Sequence, residues 1–173
     1  MEYNYEGYLI KDNITFAKFI AHKLGENKSA VRMHKGMYLV FKAYAATFGN
    51  IAGYFDYDVP AEYNDVHLPN KLFPANFAAW KFGPVEVDVF EQITKGDYHL
   101  EDHPDDAILI NNPSEIEKSI LDLIDDLIVQ INAIHDFGLV DITRRHSDYK
   151  KALEYGVTSP IPEHWIVDDS LDN

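Results

Sequence analysis

The longest run of regularly spaced apolar residues lies in the second half of the chain and predicts a buried helix. These residues recur three and four positions apart, which places them on one face of an α-helix. They are Ile116, Ile120, Leu123, Leu127, Ile128, Ile131 and Ile134. Asn112 and Pro113 suit the start of this helix, Glu115 its first turn and Gly138 its end. Because one whole face is apolar, we expect this to be the central core helix.

Two further helices are predicted near the N-terminus. Asp12 and Asn13 precede the segment ITFAKFIAHKL, and Gly25 follows it, so capping residues stand at both of its ends. Ser29 suits the N-cap of a second helix that runs to Phe48. Both segments carry apolar residues at helical spacing, and both are therefore expected to pack one face into the core.

The remaining helices are predicted from proline, glycine and capping residues. Pro84 suits the first residue of a third helix, which Gly96 closes. Its expected buried face consists of Val85, Val89, Phe90 and Ile93. Residues 139–156 predict a last helical region in two pieces, with Asp141 or Ser147 as a cap.

These elements predict a mainly α protein, a compact single-domain helical bundle with at most a short β-hairpin or strand pair in residues 50–80. We expect the domain to span residues 1–155 and to be followed by an acidic tail, residues 156–173. Two outcomes are open for that tail: partial disorder, or docking of Trp165, Ile166 and Val167 on the domain.

Composition limits the classes of function. The 29 acidic residues exceed the 15 lysines and arginines, which gives a formal charge of −14 and disfavours binding to nucleic acid or anionic lipid. This charge favours a basic partner or mimicry of nucleic acid, although solubility alone also explains it. The absence of cysteine excludes disulfides and thiolate chemistry. Neither a signal peptide nor a membrane span is predicted, so we expect a cytoplasmic protein.

The common catalytic motifs are missing, so we expect no enzymatic activity and no cofactor. Phosphate-binding loops, nucleophile elbows and zinc helices do not occur in the sequence. One alternative is a metal-dependent hydrolase that uses His99 and His103, which stand four positions apart among acids. Pro104 argues against a helix there, and solvated side chains explain the pair equally simply. His34 is expected to be a core histidine.

Three segments resemble a known family. The sequence AAWKFGPV at 78–85 resembles the tryptophan–GPV signature of the Panacea domain, a phage-associated family of SocA-like antitoxins and proteolytic adaptors. Residues 33–40 are similar to the family's LQKLLYFA segment, and residues 139–152 to its C-terminal motif. The matching motif residues are Lys35, Tyr38, Trp80, Phe82, Gly83, Pro84, Val85 and Thr143. Gly36, Arg144 and Tyr149 depart from the family pattern.

The resemblance implies a helical fold that neutralises a toxin by direct binding or delivers it to a protease. We expect the motif residues to be structural, with Trp80 and Phe82 filling the core and Gly83 permitting a tight turn. Lys81, between two aromatic residues, is expected to be exposed and available to a partner.

The main candidate for partner binding is the long loop over residues 50–72, because tyrosines beside acids suit a basic protein target. The candidate residues are Tyr54, Phe55, Asp56, Tyr57, Asp58, Glu62, Tyr63, Asp65 and Lys81. An ordinary solvated loop is the alternative. We therefore predict an antitoxin-like protein without nucleic-acid or membrane binding. A phage-encoded counter-defence protein that mimics DNA, or the metal-dependent hydrolase, are the alternatives.

Overall fold

Helices dominate the computed structural model, which describes residues 7–49, 68–96 and 108–171. Within these ranges the elements are α1 (Asn13–Leu24), α2 (Ala30–Tyr44), β1 (Phe77–Trp80), β2 (Gly83–Glu86), α3 (Val87–Lys95), α4 (Glu115–Asn132), α5 (Asp136–Arg144), α6 (Ser147–Glu154), β3 (Ser159–Pro160) and α7 (Glu163–Leu171). The predicted mainly α class with a short strand region is confirmed. None of the described helices has the length and hydropathy needed to cross a membrane.

The first two helices begin at their predicted caps. The Asp12 carboxylate accepts a hydrogen bond from the Thr15 N–H at 2.6 Å, and Gly25 ends α1 with φ of 60°. The Ser29 hydroxyl accepts from the Arg32 N–H at 3.0 Å and starts α2. After Tyr44 the chain continues as a π-helical segment, Ala45–Gly49, so the α-helix is shorter than predicted.

The core is built around α2, which packs against α1, α4, α5, α7 and β2. Its aromatic side chains meet those of neighbouring elements, and the Phe73 ring stacks on Phe16 with centroids 4.7 Å apart and meets Phe41 edge-on at 5.2 Å. One face of α4 adds Ile116, Ile120, Ile124, Ile128 and Ile131. The apolar stripe therefore faces the core as predicted, with Leu123, Leu127 and Ile134 only partly buried, but α2 is the central helix because it has neighbours on more sides.

The predicted start of α4 is wrong by a few residues. Ser114, not Asn112, is its N-cap, and the Ser114 and Glu117 side chains each bond the other's backbone N–H in a capping box. Neither Asn112 nor Pro113 belongs to the helix. The reciprocal bonds satisfy two backbone donors at once, which explains why the helix begins here.

The two-piece helix after α4 is confirmed, but its predicted caps are wrong. His135 caps α5 by accepting a hydrogen bond from the Gly138 N–H at 3.1 Å, and His146 occupies the N-cap position of α6. Asp141 lies inside α5, and Ser147 is the first residue of α6. Gly138 accordingly lies in the first turn of α5 and is not the end of α4.

The predicted helix start at Pro84 is wrong, because this residue lies in an edge strand. β1 and β2 form an antiparallel hairpin in the register Ala78↔Val85 and Trp80↔Gly83, and β3 pairs with the other side of β1. An edge strand tolerates proline, which has no N–H to pair. Helix α3 begins at Val87, later than predicted. Gly96 caps its C-terminal end, as predicted.

The C-terminal residues dock on the domain. Helix α7 covers half of the predicted tail, and Ile166 and Val167 are buried in the core. Trp165 is half-buried beside them, and Ile161 joins β1 through a hydrogen bond from its N–H to the Phe77 carbonyl at 2.8 Å. Of the two outcomes that the sequence left open, docking is therefore the one observed over residues 156–171.

The outward edge of β2 is closed by side chains of α2. The Lys35 ammonium donates to the Pro84 carbonyl at 3.0 Å, and the Glu86 N–H donates to His34 Nδ1 at 3.3 Å. An unpaired strand edge invites association with other chains, so these bonds protect it. Gly83, with φ of 106°, lies directly over the Lys35 side chain and beside Thr143 of α5.

Replacement of Gly83 by alanine is expected to destabilise the fold. A Cβ atom there would lie 2.9 Å from both Lys35 Cε and Thr143 Oγ1, in addition to adopting an unfavourable φ. We expect Gly83→Ala to lower the free energy of unfolding by about 2–3 kcal/mol. Urea denaturation measures this loss.

The matched control is Gly96→Ala. Gly96 also has a positive φ, 74°, but no atom outside its immediate chain neighbours lies within 4 Å of a Cβ built there. We therefore expect the control to lose only the backbone cost, about 1 kcal/mol. Equal losses in the two variants would contradict close packing of Lys35 and Thr143 beneath Gly83.

Candidate functional site

A buried cluster of charged side chains joins α2 to α6 and α7. The Lys42 ammonium lies 3.3 Å from the Asp148 carboxylate and 2.6 Å from His146 Nδ1. It also contacts the Asp169 carboxylate. The Tyr38 hydroxyl donates to the other oxygen of Asp148 at 2.5 Å. Because the ammonium can only donate, His146 Nδ1 accepts and its ring is neutral, in agreement with a pKa that burial lowers.

This cluster has the composition of a metal site, but a lysine already supplies its positive charge. Ligand atoms of His146, Asp148 and Asp169 lie within 4.8 Å of one another, close enough to share one ion. The Lys42 ammonium lies among these same atoms, so an ion would have to displace it. The Ser147 hydroxyl donates to the Asp169 carboxylate, which also contacts Lys42.

A second buried polar cluster lies beneath β2. One oxygen of the Glu86 carboxylate accepts from Asn13 Nδ2 at 2.9 Å, and the other accepts from the Asn76 N–H at 2.8 Å. Burial raises the pKa of Glu86 to about 7, an effect that these hydrogen bonds oppose. Burial, with a smaller effect of Lys35, lowers the pKa of His34 to about 4. His34 is thus a neutral core histidine.

Large apolar side chains are exposed where the β1–β2 hairpin turns. Lys81 and Phe82 form the two-residue turn, and Phe82 is 63% exposed. The pairing of β3 with β1 brings Tyr155 and Val157, 76% and 60% exposed, to the same end of the sheet. We call Lys81, Phe82, Tyr155 and Val157 the hairpin-end surface. The Tyr155 ring lies 6.3 Å from Trp165, and exposed apolar side chains at one end of a sheet are candidates for a protein-binding surface.

A groove runs between α2 and α4, and its open volume is about 660 Å³. Leu39 and Ala43 of α2, with Ala46 of the π-helical segment, form one wall. The opposite wall consists of Leu127 and Ile131 of α4 and of Ile134, which follows the end of this helix. Its remaining lining residues are Lys42, Gln130, Ile142, Arg145, His146, Ser147, Asp169 and Ser170. The groove is therefore apolar along its walls and polar where it meets the Lys42 cluster.

The structure brings several predicted motif residues together, but not all of them. Lys35, Gly83, Pro84 and Thr143 meet at the closed edge of β2, whereas Tyr38 belongs to the Lys42 cluster. The expectation that Phe82 fills the core is wrong, because its ring is mostly solvent-exposed.

Trp80 and Val85 of the same motif differ in their burial. Trp80 is half-buried with its ring 4.7 Å from Phe90, which is itself exposed although it was predicted to be buried. Val85 is buried. The Tyr149 hydroxyl donates to the Trp80 carbonyl at 2.7 Å and fixes this end of β1 to α6.

The predicted partner-binding loop lies mostly outside the described residues, as do Tyr54, Phe55, Asp56, Tyr57, Asp58, Glu62, Tyr63 and Asp65. The same is true of His99 and His103. Lys81 is described and is exposed as predicted, with its ammonium 5.4 Å from the centre of the Phe82 ring. Sequence reasoning missed Tyr155, Val157 and the Lys42 cluster, because their partners lie far away in the chain.

The chain matches no protein-family model, no curated protein and no solved structure. The resemblance to the Panacea domain consequently stays a prediction carried by the three motif segments.

Loss of the Lys42 ammonium is expected to destabilise the fold strongly. Lys42→Met leaves Asp148 and Asp169 without their cation, and Asp148 is fully buried. Removal of one partner from a buried ion pair costs about 3–5 kcal/mol, so we expect a loss of that size in urea denaturation. Lys150→Met, which removes an exposed lysine of α6, is the control and should be nearly neutral.

A double variant separates lost charge pairing from lost packing. Lys42→Met combined with Asp148→Asn removes both charges, so it should be more stable than the sum of the two single losses predicts. Simple additivity of the two losses would contradict direct coupling between Lys42 and Asp148.

The lowered pKa of His34 predicts a loss of stability in acid. Between pH 6.5 and about 4 the unfolded chain binds a proton at His34 while the folded chain does not. The contribution of His34 to the free energy of unfolding should therefore fall by about 3 kcal/mol over this interval and stay level below it. Glu86 makes the opposite contribution to the free energy of unfolding as the pH is lowered, because its raised pKa makes the folded chain bind a proton at a higher pH than the unfolded chain does.

Comparison with His34→Gln isolates this contribution. Glu86 titrates in both proteins, so the difference between their unfolding free energies reports mainly on His34. We expect the wild-type protein to lose stability relative to the variant as the pH is lowered. A difference that stays constant from pH 7 to 4 would show that His34 is not a buried neutral group.

Proposed function

We propose that the chain is a non-enzymatic cytoplasmic protein of the antitoxin type, which neutralises a partner polypeptide by binding it directly. The observation that carries this proposal is the hairpin-end surface. Three large apolar side chains, Phe82, Tyr155 and Val157, are exposed together at one end of the sheet. Exposed apolar clusters mark interaction surfaces more often than they mark catalytic sites.

The backbone that carries Phe82 is fixed before any partner arrives. The two-residue turn stands between paired strands, and the Lys35 and Tyr149 side chains hold the Pro84 and Trp80 carbonyls on either side of it. A contact residue presented by a rigid backbone loses little conformational entropy when it binds. This favours Phe82 as an anchor that enters a pocket of the partner.

The charge of the chain favours a basic partner. The net charge of −14 creates a negative potential that speeds the encounter with a positively charged protein. After the encounter, aromatic and aliphatic side chains make the short-range contacts. Such side chains carry most of the binding energy in protein interfaces. Lys81, whose ammonium lies near the Phe82 ring, adds a polar contact at the rim.

The chemistry of the described residues supports binding over catalysis. Lys42, His146, Asp148 and Asp169 bond one another, and His34 accepts the Glu86 N–H. These groups therefore serve the fold. The hydrolase alternative stays a prediction, because His99 and His103 lie outside the described residues.

The resemblance to the Panacea domain suggests which protein is the partner. Members of that family neutralise toxins encoded beside them, so the polypeptide encoded next to this chain is the first candidate. We expect the two proteins to co-purify with fixed stoichiometry, and co-expression to relieve any growth arrest that the neighbour causes.

Truncation of the hairpin-end surface is expected to weaken this complex. Phe82→Ala and Tyr155→Ala should each reduce affinity at least about tenfold in isothermal titration calorimetry, the loss typical of an anchor residue. Both side chains are exposed, so the variants should retain the wild-type unfolding midpoint.

Val129→Ala is the matched control, since Val129 is exposed on α4 and lies outside the hairpin-end surface. It should bind as the wild-type protein does. The proposal fails if the wild-type chain does not bind its neighbour. If it binds but both hairpin-end variants keep full affinity, the surface is assigned wrongly.

A further inference from the structure

The groove between α2 and α4 has the shape expected of a site for one helix. Leu39, Ala43 and Ala46 follow one another at intervals of four and three residues, and Leu127, Ile131 and Ile134 do the same on the facing wall. Each row spans about two helical turns, roughly 10 Å. Alanines at two positions of the first row leave space for the backbone of an incoming helix to approach closely.

We propose that this groove binds one amphipathic helix of the partner polypeptide, with an apolar face toward α2 and α4 and basic residues at its flanks. The inference rests on the proposed function, since it names the part of the partner that is recognised. A helix laid in a groove anchors itself by apolar residues at positions i, i+3 or i+4, and i+7. The lining residues of each row follow one another at the same intervals, so the anchors of such a helix can lie against them.

The charged side chains at the polar end of the groove already bond one another. Lys42 lies there with its positive charge already shared by Asp148 and Asp169, and Ser147 also bonds Asp169. One ammonium against two carboxylates leaves this cluster with an excess negative charge, so it gives little binding energy to a free anion and suits a basic residue beside it. The energy available in the groove therefore comes mainly from its apolar walls, which suit apolar side chains of a helix.

Charge favours a basic helix as the occupant. In the sequence, an exposed aspartate directly precedes a lining residue on three elements: Asp126 before Leu127, Asp141 before Ile142 and Asp168 before Asp169. Arg145 is the only exposed cation that lines the groove. This excess of acids adds to the net charge of −14, which also disfavours a second copy of the chain as the occupant.

Peptide selection tests the groove without knowledge of the partner. A displayed library of 16-residue helical peptides is selected against the full chain, and the affinity of the enriched peptides is measured by fluorescence anisotropy. We expect peptides with apolar residues at i, i+3 or i+4, and i+7 and with flanking lysines or arginines. Their binding should weaken as salt is raised, because exposed charges are screened.

Variants on both walls locate the bound peptide. Ala43→Arg and Leu127→Arg place a long cationic side chain in the groove from opposite sides, and each should weaken peptide binding at least about 30-fold. The control Val129→Arg makes the same change on an exposed position of α4 that does not line the groove, and it should keep affinity within about twofold. Thermal unfolding of each variant confirms that it folds.

The outcomes are decisive in each arm. The inference is overturned if no peptide is enriched, if enriched peptides bind both groove variants like the wild-type chain, or if only a small apolar dye enters the groove. With the neighbouring gene product, a complex that survives Ala43→Arg and Leu127→Arg removes the groove but keeps the proposed function. Absence of any wild-type complex removes the proposed function, and the peptide arm then decides the groove alone.

Discussion

Two buried ammonium groups on α2 hold the rest of the structure together. Lys35 bonds the Pro84 carbonyl and so fixes the hairpin, while Lys42 bonds Asp148 and Asp169 and so fixes α6 and α7. The two lysines are seven residues apart, which places them on the same side of the helix two turns apart. A buried cation left without a partner is very costly. The hairpin and the two C-terminal helices are therefore held in place from one side of α2.

This arrangement explains why the interior contains several polar residues that bond one another. The pKa of Lys35 is lowered by burial to about 8, so it remains mostly charged at neutral pH. Burial and the nearby Asp148 together raise the pKa of Tyr38, which keeps its hydroxyl protonated as a donor. Each group is in the state that its structural bond requires. The surface carries two regions with exposed apolar side chains, the hairpin-end surface and the groove.

Local signals in the sequence predicted local structure well. The caps Asp12, Gly25 and Ser29 were found because a capping side chain and the helix it caps are neighbours in the chain. Pro84 was misplaced because a helix start and an edge strand both tolerate a residue without an N–H. The true cap of α4 was visible as Ser114 followed by Glu117, a pattern more specific than the asparagine and proline chosen instead.

Contacts between distant residues limited the prediction of the site. Lys42 and Asp169 are 127 positions apart, and nothing in their local sequence indicates that they meet. The exposure of Phe82 depends on a two-residue hairpin turn, whereas the sequence analysis expected a tight turn at Gly83 that led into a helix. Tyr155 and Val157 reach the same surface only through the pairing of β3 with β1. Lys81 is the predicted binding residue that lies within the described ranges, and its exposure was anticipated because a lysine between aromatic residues has no place in a core.

Hydrogen–deuterium exchange of the chain with and without the neighbouring gene product tests the central claim most directly. If the buried lysines are structural and recognition occurs at the surface, the partner should slow exchange at residues 80–83 and 155–158 and along the two groove walls. Amides around Lys35 and Lys42 should be slow in both states. Unchanged exchange at the hairpin-end surface and groove, with the partner bound elsewhere, would contradict the account. So would fast exchange around the two lysines in the free chain.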